Sequence, residues 1–362
     1  MLKSAIQRDP SLARAHYYLG NLYYDKRRYE DAIWCWSQSV QLDDTFSIPF
    51  RNLGIAEFNI HRSPEAANEM FARAFDLAPN DARVLYEWDQ LKKRAGLSTP
   101  ADRLRFLQAH PDLVAHRDDL TIEYITLLNQ SAQWNLALEH LAARQFTPWE
   151  GGEGLVAGQY MHAHRALGLS ALTEKRPEEA LRHFEAARHY PNNLGEGKHL
   201  LTLERDLDYF SGLAARSLDE SDATRRFWSA AAAPLAAPGV HTYFQALALR
   251  AMGDEEAAFN AFSNQAAYAD QLARTKPVID YFATSLPNLL LFEDDLDKRN
   301  HVDALLLSAL ADDGLGNTEK AVRQLEQVLA EDPNHLFSAE MLRWLSIRTC
   351  LLQATSEGRP TT

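Results

Sequence analysis

The sequence predicts an all-α fold, a right-handed α-solenoid of helical hairpins with a C-terminal capping helix. Three observations predict it. A frame of small and aromatic residues returns after 34 residues, as from Leu19 to Leu53. Within each frame apolar residues recur at spacings of three and four, which gathers them on one helix face. Asp-Pro and Ala-Pro steps, such as Asp9-Pro10 and Ala78-Pro79, stop one helix before the next begins. The chain has 362 residues, 46% of them hydrophobic. That is long for one globular core, but a solenoid extends its core along one dimension.

The elements follow in order. Ala5 and Pro10 stand in the register of Ala74 and Pro79, so residues 1–9 read as the second helix of an incomplete unit. The expectation is that the chain is part of a longer protein, or that a neighbouring chain covers Leu2, Ala5 and Ile6. Residues 13–46 carry Leu19, Gly20, Tyr23, Ala32, Trp36 and Asp44, and the next block carries Leu53, Gly54, Ala67, Phe71, Ala74 and Pro79. Gly20, Ala32 and Ser39 are small enough for two helix backbones to approach toward the short end of the usual ~8–10 Å. Trp36 and Tyr23 then fill the gaps beside them. Residues 81–113 fit the frame least, and 114–147 fit it loosely through Leu128, Ala137 and Leu141.

The frame is regular again in residues 157–192, with Leu167, Gly168, Ala171, Ala180, Phe184 and Ala187. Pro177-Glu178-Glu179 there suits the first turn of a helix. Gly212, Ala215, Trp228 and Ala231 mark 200–233, and Ala246, Ala258 and Phe262 mark 239–268. Gly253-Asp254 is the stop and cap between those last two helices. Ala309, Ala321, Leu325 and Pro333 mark 301–334. Residues 335–354 read as one amphipathic capping helix and 355–362 as a disordered tail. The expected domains are 1–113, whose first repeat is incomplete, and 114–354, with irregular repeats, two long connectors and the capping helix. A non-repeating bundle would not preserve small residues at these positions.

Fifty acidic residues against 37 basic ones give a formal charge of −13, which disfavours a nucleic-acid or anionic-membrane surface. No run approaches the ~20 apolar residues of a membrane span, and the N-terminus lacks a signal-peptide pattern. Cys35, next to Trp36, reads as core; it and Cys350 are too distant in a solenoid to pair, which suits a reducing, cytoplasmic setting. His162 and His164, two apart on a helix, point to different sides, miss the spacing of a metal pair and are expected to face a groove or solvent. No serine elbow, Cys-His nucleophile pattern or dinucleotide fingerprint occurs. The reading is therefore of a non-catalytic protein with no cofactor and no metal.

Two longer connectors stand out, Phe146 to Gly154 around Pro148-Trp149-Glu150-Gly151-Gly152-Glu153, and Tyr190 to Lys198 around Asn192-Asn193-Leu194-Gly195-Glu196-Gly197. Both join the second helix of one unit to the first helix of the next, so they should lie side by side on one edge. They hold five of the 16 glycines. Trp149 could plug a groove between units, or serve as a binding platform with Glu150, Glu153 and Glu196 as acceptors beside Asn192, Asn193 and Lys198.

The repeated Leu-Gly, Ala, aromatic and Pro frame resembles the tetratricopeptide superfamily over nearly the whole chain. The loop pair, with Ile279-Asp280-Tyr281-Phe282, Ser285-Leu286-Pro287 and Asp332-Pro333-Asn334-His335, resembles the C-terminal repeat half of large bacterial proteins over about residues 110–340. Those proteins carry an N-terminal domain of unknown function. The resemblance implies a scaffold whose first helices line a concave recognition face carrying Tyr17, Asn21, Asn52, Tyr124, Tyr160, His164 and Tyr209. Its expected partner is an extended peptide or a domain, such as an N-terminal domain of the same native chain. Asn21 and Asn52 also sit where the family's carboxylate clamps place asparagines, but Tyr17 stands where the first lysine would be. Two other readings compete. One is the accessory C-terminal region of a larger carbohydrate-active enzyme, and the other is self-association through the N-terminal end.

Overall fold

The computed structural model describes residues 1–149, 151–199, 201–277 and 291–354. Among them every regular element is helical and no strand occurs. Consecutive helices pack in antiparallel pairs, as the 34-residue frame predicts. The chain forms two compact units. Unit 1 is Met1–Tyr124 together with the described residues 291–294, and unit 2 holds the remainder.

Unit 1 opens with α1 (Leu2–Arg8), which buries none of its residues. Two regular hairpins follow, α2 (Ala13–Asp25) with α3 (Tyr29–Leu42) and α4 (Ser47–Asn59) with α5 (Pro64–Leu77). The glycines act differently from expectation. A Cβ on Gly20 would lie 2.5 Å from Trp36 Nε1, and one on Gly54 would lie 2.7 Å from Phe71 Cδ2. The missing side chain thus makes room for the partner's ring as well as for its backbone. Ser39, also expected as a mere spacer, donates a hydrogen bond across the hairpin to the Ala13 carbonyl at 2.9 Å.

The weakly patterned stretch is not a simple hairpin. It holds α6 (Ala82–Ala95), α7 (Pro100–Gln108) and α8 (Pro111–His116), followed by α9 (Asp118–Gln130). Thr99 and Asp102 form a reciprocal capping box at the start of α7, and Pro111 restarts the helix after a break. Arg103, 1% exposed, holds Asp89 by two hydrogen bonds and Glu123 by one. This buried ion network stands beside an aromatic contact between Trp88 on α6 and Phe106 on α7.

Unit 2 continues with α10 (Trp134–Ala142), α11 (Leu155–Thr173), α12 (Pro177–Ala186), α13 (Arg205–Ser217), α14 (Ser221–Ala231), α15 (Val240–Ala251) and α16 (Glu255–Arg274). It closes with α17 (Leu296–Gly314), α18 (Thr318–Glu331) and α19 (Leu336–Ala354). The glycine-to-ring contact recurs between Gly168 and Phe184 and between Gly212 and Trp228. Gly253 takes φ +92°, and the Asp254 side chain accepts from Ala257 N–H, the stop and cap that the sequence predicts. Among the described residues one apolar core cluster of the unit includes side chains from Leu169 to Leu345.

Candidate functional site

In unit 1 the two asparagines are tied into the scaffold. Trp36 Nε1 and Asn52 Nδ2 both donate to Asn21 Oδ1 at 3.0 Å. Arg51 donates to Asn52 Oδ1 at 3.0 Å and grips both oxygens of Glu87, which Arg83 also reaches. Asn52 is buried and Asn21 half-buried, so this polar ladder joins the first helices α2, α4 and α6. Tyr17 is half-buried against Tyr18 and Phe46.

The C-terminal ends of α4 and α6 hold a segment from far along the chain. Asn59, the last residue of α4, donates from Nδ2 to the Leu291 carbonyl at 3.0 Å. Its Oδ1 accepts from the Glu293 N–H at 2.9 Å. Between these bonds the Phe292 ring, 1% exposed, packs on Phe58 at 5.1 Å and Phe71 at 5.9 Å between centroids. Glu293 pairs with Arg62 at 2.5 Å and Asp294 with Arg94 at 3.8 Å.

In unit 2 the helix α19 lies across the first helices α11, α13, α15 and α17. Glu340 takes both arms of Arg165 and faces His162 Nδ1 at 3.2 Å. The Trp344 ring packs on Tyr209 and Phe210, and its Nε1 donates to the Tyr243 hydroxyl at 3.1 Å. Arg348 holds Asp313, which also accepts from Tyr243. Burial by itself raises the Glu340 carboxyl, but Arg165 and His162 outweigh it and bring the carboxyl down to about 2. The expected placements of Tyr209 and His162 are corrected here. Both are buried, Tyr209 in the aromatic core and His162 facing Glu340. Beside Arg348 a cavity of about 410 Å³ is lined by Tyr209, Arg216, Arg250 and Asp313.

The two long connectors do lie side by side. Phe146 N–H donates to the Asn193 carbonyl at 2.8 Å, and Asn193 Nδ2 donates to the carbonyls of Leu141 and Arg144. Glu196 accepts from Gly154 N–H at 2.6 Å, and Glu153 accepts from Gly151 N–H at 2.9 Å. Lys198 pairs with Glu204 at 2.5 Å. The half-buried Trp149 ring lies over Gly152, where a Cβ would come within 2.1 Å of it. Asn192 is exposed. Glu150 lies outside the described residues, as do 279–282 and 285–287. Tyr160 meets His164 edge to face at 4.5 Å on α11, and His164 Nδ1 lies 3.0 Å from His183 Nδ1 on α12. Burial, with His183 adding to it, pushes His164 down to about 4, so the pair is neutral near pH 7.

Residues 13–46 and residues 303–335 each match a family model of the tetratricopeptide repeat. These stretches are the α2–α3 hairpin and the α17–α18 hairpin with the turn that follows it. Solved structures similar to the chain include YrrB, described as "a TPR protein with an unusual peptide-binding site". It is 17% identical, with a TM-score of 0.39 over 51% of this chain and 90% of YrrB. A second is Naa15/Naa10 bound to HypK-THB, 12% identical with a TM-score of 0.43. That match spans 98% of this chain and 64% of the other. A third is PilW, a type IV pilus biogenesis factor, 14% identical with a TM-score of 0.32 over 60% of this chain and 91% of PilW.

Several residues at these tetratricopeptide-like surfaces carry no sequence signal of their role. Asn59 and Phe292 are 233 positions apart and belong to different stretches of the pattern. Glu340 and Arg348 read as the polar side of a capping helix. The His164–His183 contact crosses a hairpin, where a rule based on one helix face cannot detect it. Among the described residues no helix is long and apolar enough to cross a membrane.

Proposed function

We propose that the chain is a non-catalytic protein-interaction scaffold whose first helices form the recognition surface. One observation carries this reading: in each unit a segment of the chain itself is seated on first helices. Residues 291–294 lie on α4 and α6, and α19 lies across α11, α13, α15 and α17. Both segments are held as partners are held at interfaces, with a buried aromatic anchor and charged pairs beside it. The buried ionisable groups around α19 are engaged with one another, as in Arg165–Glu340 and Arg348–Asp313, which suits docking better than acid–base chemistry. The two tetratricopeptide matches support the same reading.

Partner contact is assigned to the first-helix side of unit 1, where Tyr18 and Ile48 are exposed at 54% and 43%. The edge of the paired Gly-Glu-Gly loops, with Trp149 and Asn192, is a second contact surface. Tyr160 and His164 lie on α11, which follows the first of these loops. The test is affinity capture from a native lysate with the wild-type chain and with a Tyr18→Ala, Ile48→Ala double variant. The expected result is a defined set of proteins that the variant fails to retain at an unchanged melting temperature. Equal recovery of every protein by both chains would remove the unit 1 surface from consideration.

A further inference from the structure

We propose that unit 1 is a receptor for a short acidic peptide centred on phenylalanine. Residues 291–294, Leu-Phe-Glu-Asp, are its occupant in cis, and a peptide of the same chemistry exchanges with them in trans. The proposal rests on the scaffold reading and names the partner class for one of its surfaces.

Four features of the contact carry it. First, the Asn59 amide bonds the carbonyl of Leu291 and the N–H of Glu293, the residues on either side of Phe292. One side chain therefore satisfies a donor and an acceptor of the peptide backbone, whatever its sequence, as main-chain recognition of peptides requires. Second, specificity has one deep element: the Phe292 ring sits at 1% exposure against Phe58 and Phe71. A single buried aromatic followed by exposed residues is the anchor pattern of a short-peptide site. Third, the flanking charges have one sign. Glu293 meets Arg62, with side chains 56% and 65% exposed, and Asp294 meets Arg94. Pairs this exposed contribute little affinity, but they fix direction and reject a basic peptide.

Fourth, the receptor has its own packing. Asn59 and Phe58 sit on α4, whose hairpin with α5 is closed by Leu53, Gly54, Ala67 and Phe71. Phe292 adds to that core from outside the hairpin frame. Being part of the same chain, the cis segment competes at an effective concentration on the order of millimolar, so a trans peptide binds weakly until the segment is weakened.

The experiment uses the full chain and a fluorescein-labelled peptide with the sequence of residues 289–296, Leu-Leu-Leu-Phe-Glu-Asp-Asp-Leu. Binding is followed by anisotropy. A Phe292→Ala chain is expected to bind the peptide at least tenfold more tightly than wild type, and the peptide should raise its melting temperature. Adding Asn59→Ala to that chain should cost at least tenfold, and so should a peptide with Phe292→Ala. A second opened chain, Glu293→Lys with Asp294→Lys, changes only groups at the rim and carries the test if the first fails to fold. Equal affinity of the wild-type and opened chains would overturn the proposal, as would binding that survives loss of the peptide's phenylalanine. If the Tyr18/Ile48 variant loses captured proteins while no chain binds this peptide, the scaffold reading stands and the present proposal fails. The opposite pattern separates them in the other direction.

Discussion

At the scale of single residues, the repeat frame is a set of glycine-to-ring contacts. Gly20 with Trp36, Gly54 with Phe71, Gly168 with Phe184 and Gly212 with Trp228 all leave less than 3 Å between a hypothetical Cβ and the ring. Interiors packed this closely respond to one added methyl group. Gly168→Ala is therefore expected to cost about 1–3 kcal/mol, read as a fall in denaturant midpoint at constant slope. Gly158, on the same helix α11, has no atom within 4 Å of its would-be Cβ. Gly158→Ala should instead stabilise by about 0.5–1 kcal/mol, because it removes only the backbone-entropy penalty of glycine in a helix. Opposite signs for one substitution in one helix would separate packing from propensity. Cys35, expected in the core beside Trp36, is 1% exposed, with burial pushing its thiol up to about 11.

At the scale of elements, α19 is the part whose role differs most from its sequence reading. The capping helix was expected, and its apolar residues Met341 and Leu345 are buried as a cap requires. Its charged residues do more, since Glu340 and Arg348 reach α11 and α17. Glu340 has a folded pKa of about 2, below its unfolded value. Its contribution is therefore complete above the unfolded carboxylate range near 4.5 and is lost as the pH falls toward 2. Unit 2 should lose stability through that acid window, and a Glu340→Gln chain should show a flatter profile there. At pH 7 the same substitution should cost about 3 kcal/mol, because Arg165 keeps its charge in a buried site with one carboxylate fewer. Thermal melts followed by circular dichroism from pH 7 to 2 measure both effects. The paired loops are the second instructive element. That they lie together was legible from the order of their helices. That Glu153 and Glu196 accept from loop N–H groups was not, because glutamate beside glycine reads equally well as a surface acceptor.

At the scale of the whole molecule, stability in stacked hairpins is set by each hairpin and its neighbours. Hydrogen exchange should report this. Gly168→Ala is expected to accelerate exchange in α11, α12 and α13 and to leave α2 to α5 at wild-type rates, by mass spectrometry of peptic fragments. Uniform acceleration in both units would contradict it. The sequence by itself determined the class of the fold, the positions of the regularly patterned hairpins, the turn at Gly253-Asp254 and the neighbourhood of the two loops. It could do so because these follow from spacings within about 40 residues, where periodicity and chain connectivity suffice. Only the tertiary structure decided which segments lie on the first helices. The seating of Phe292 beside Asn59, and of Trp344 beside Tyr209, brings together residues more than 100 positions apart. No local period encodes such a pairing; it depends on shape, burial and charge that exist only once the hairpins have stacked.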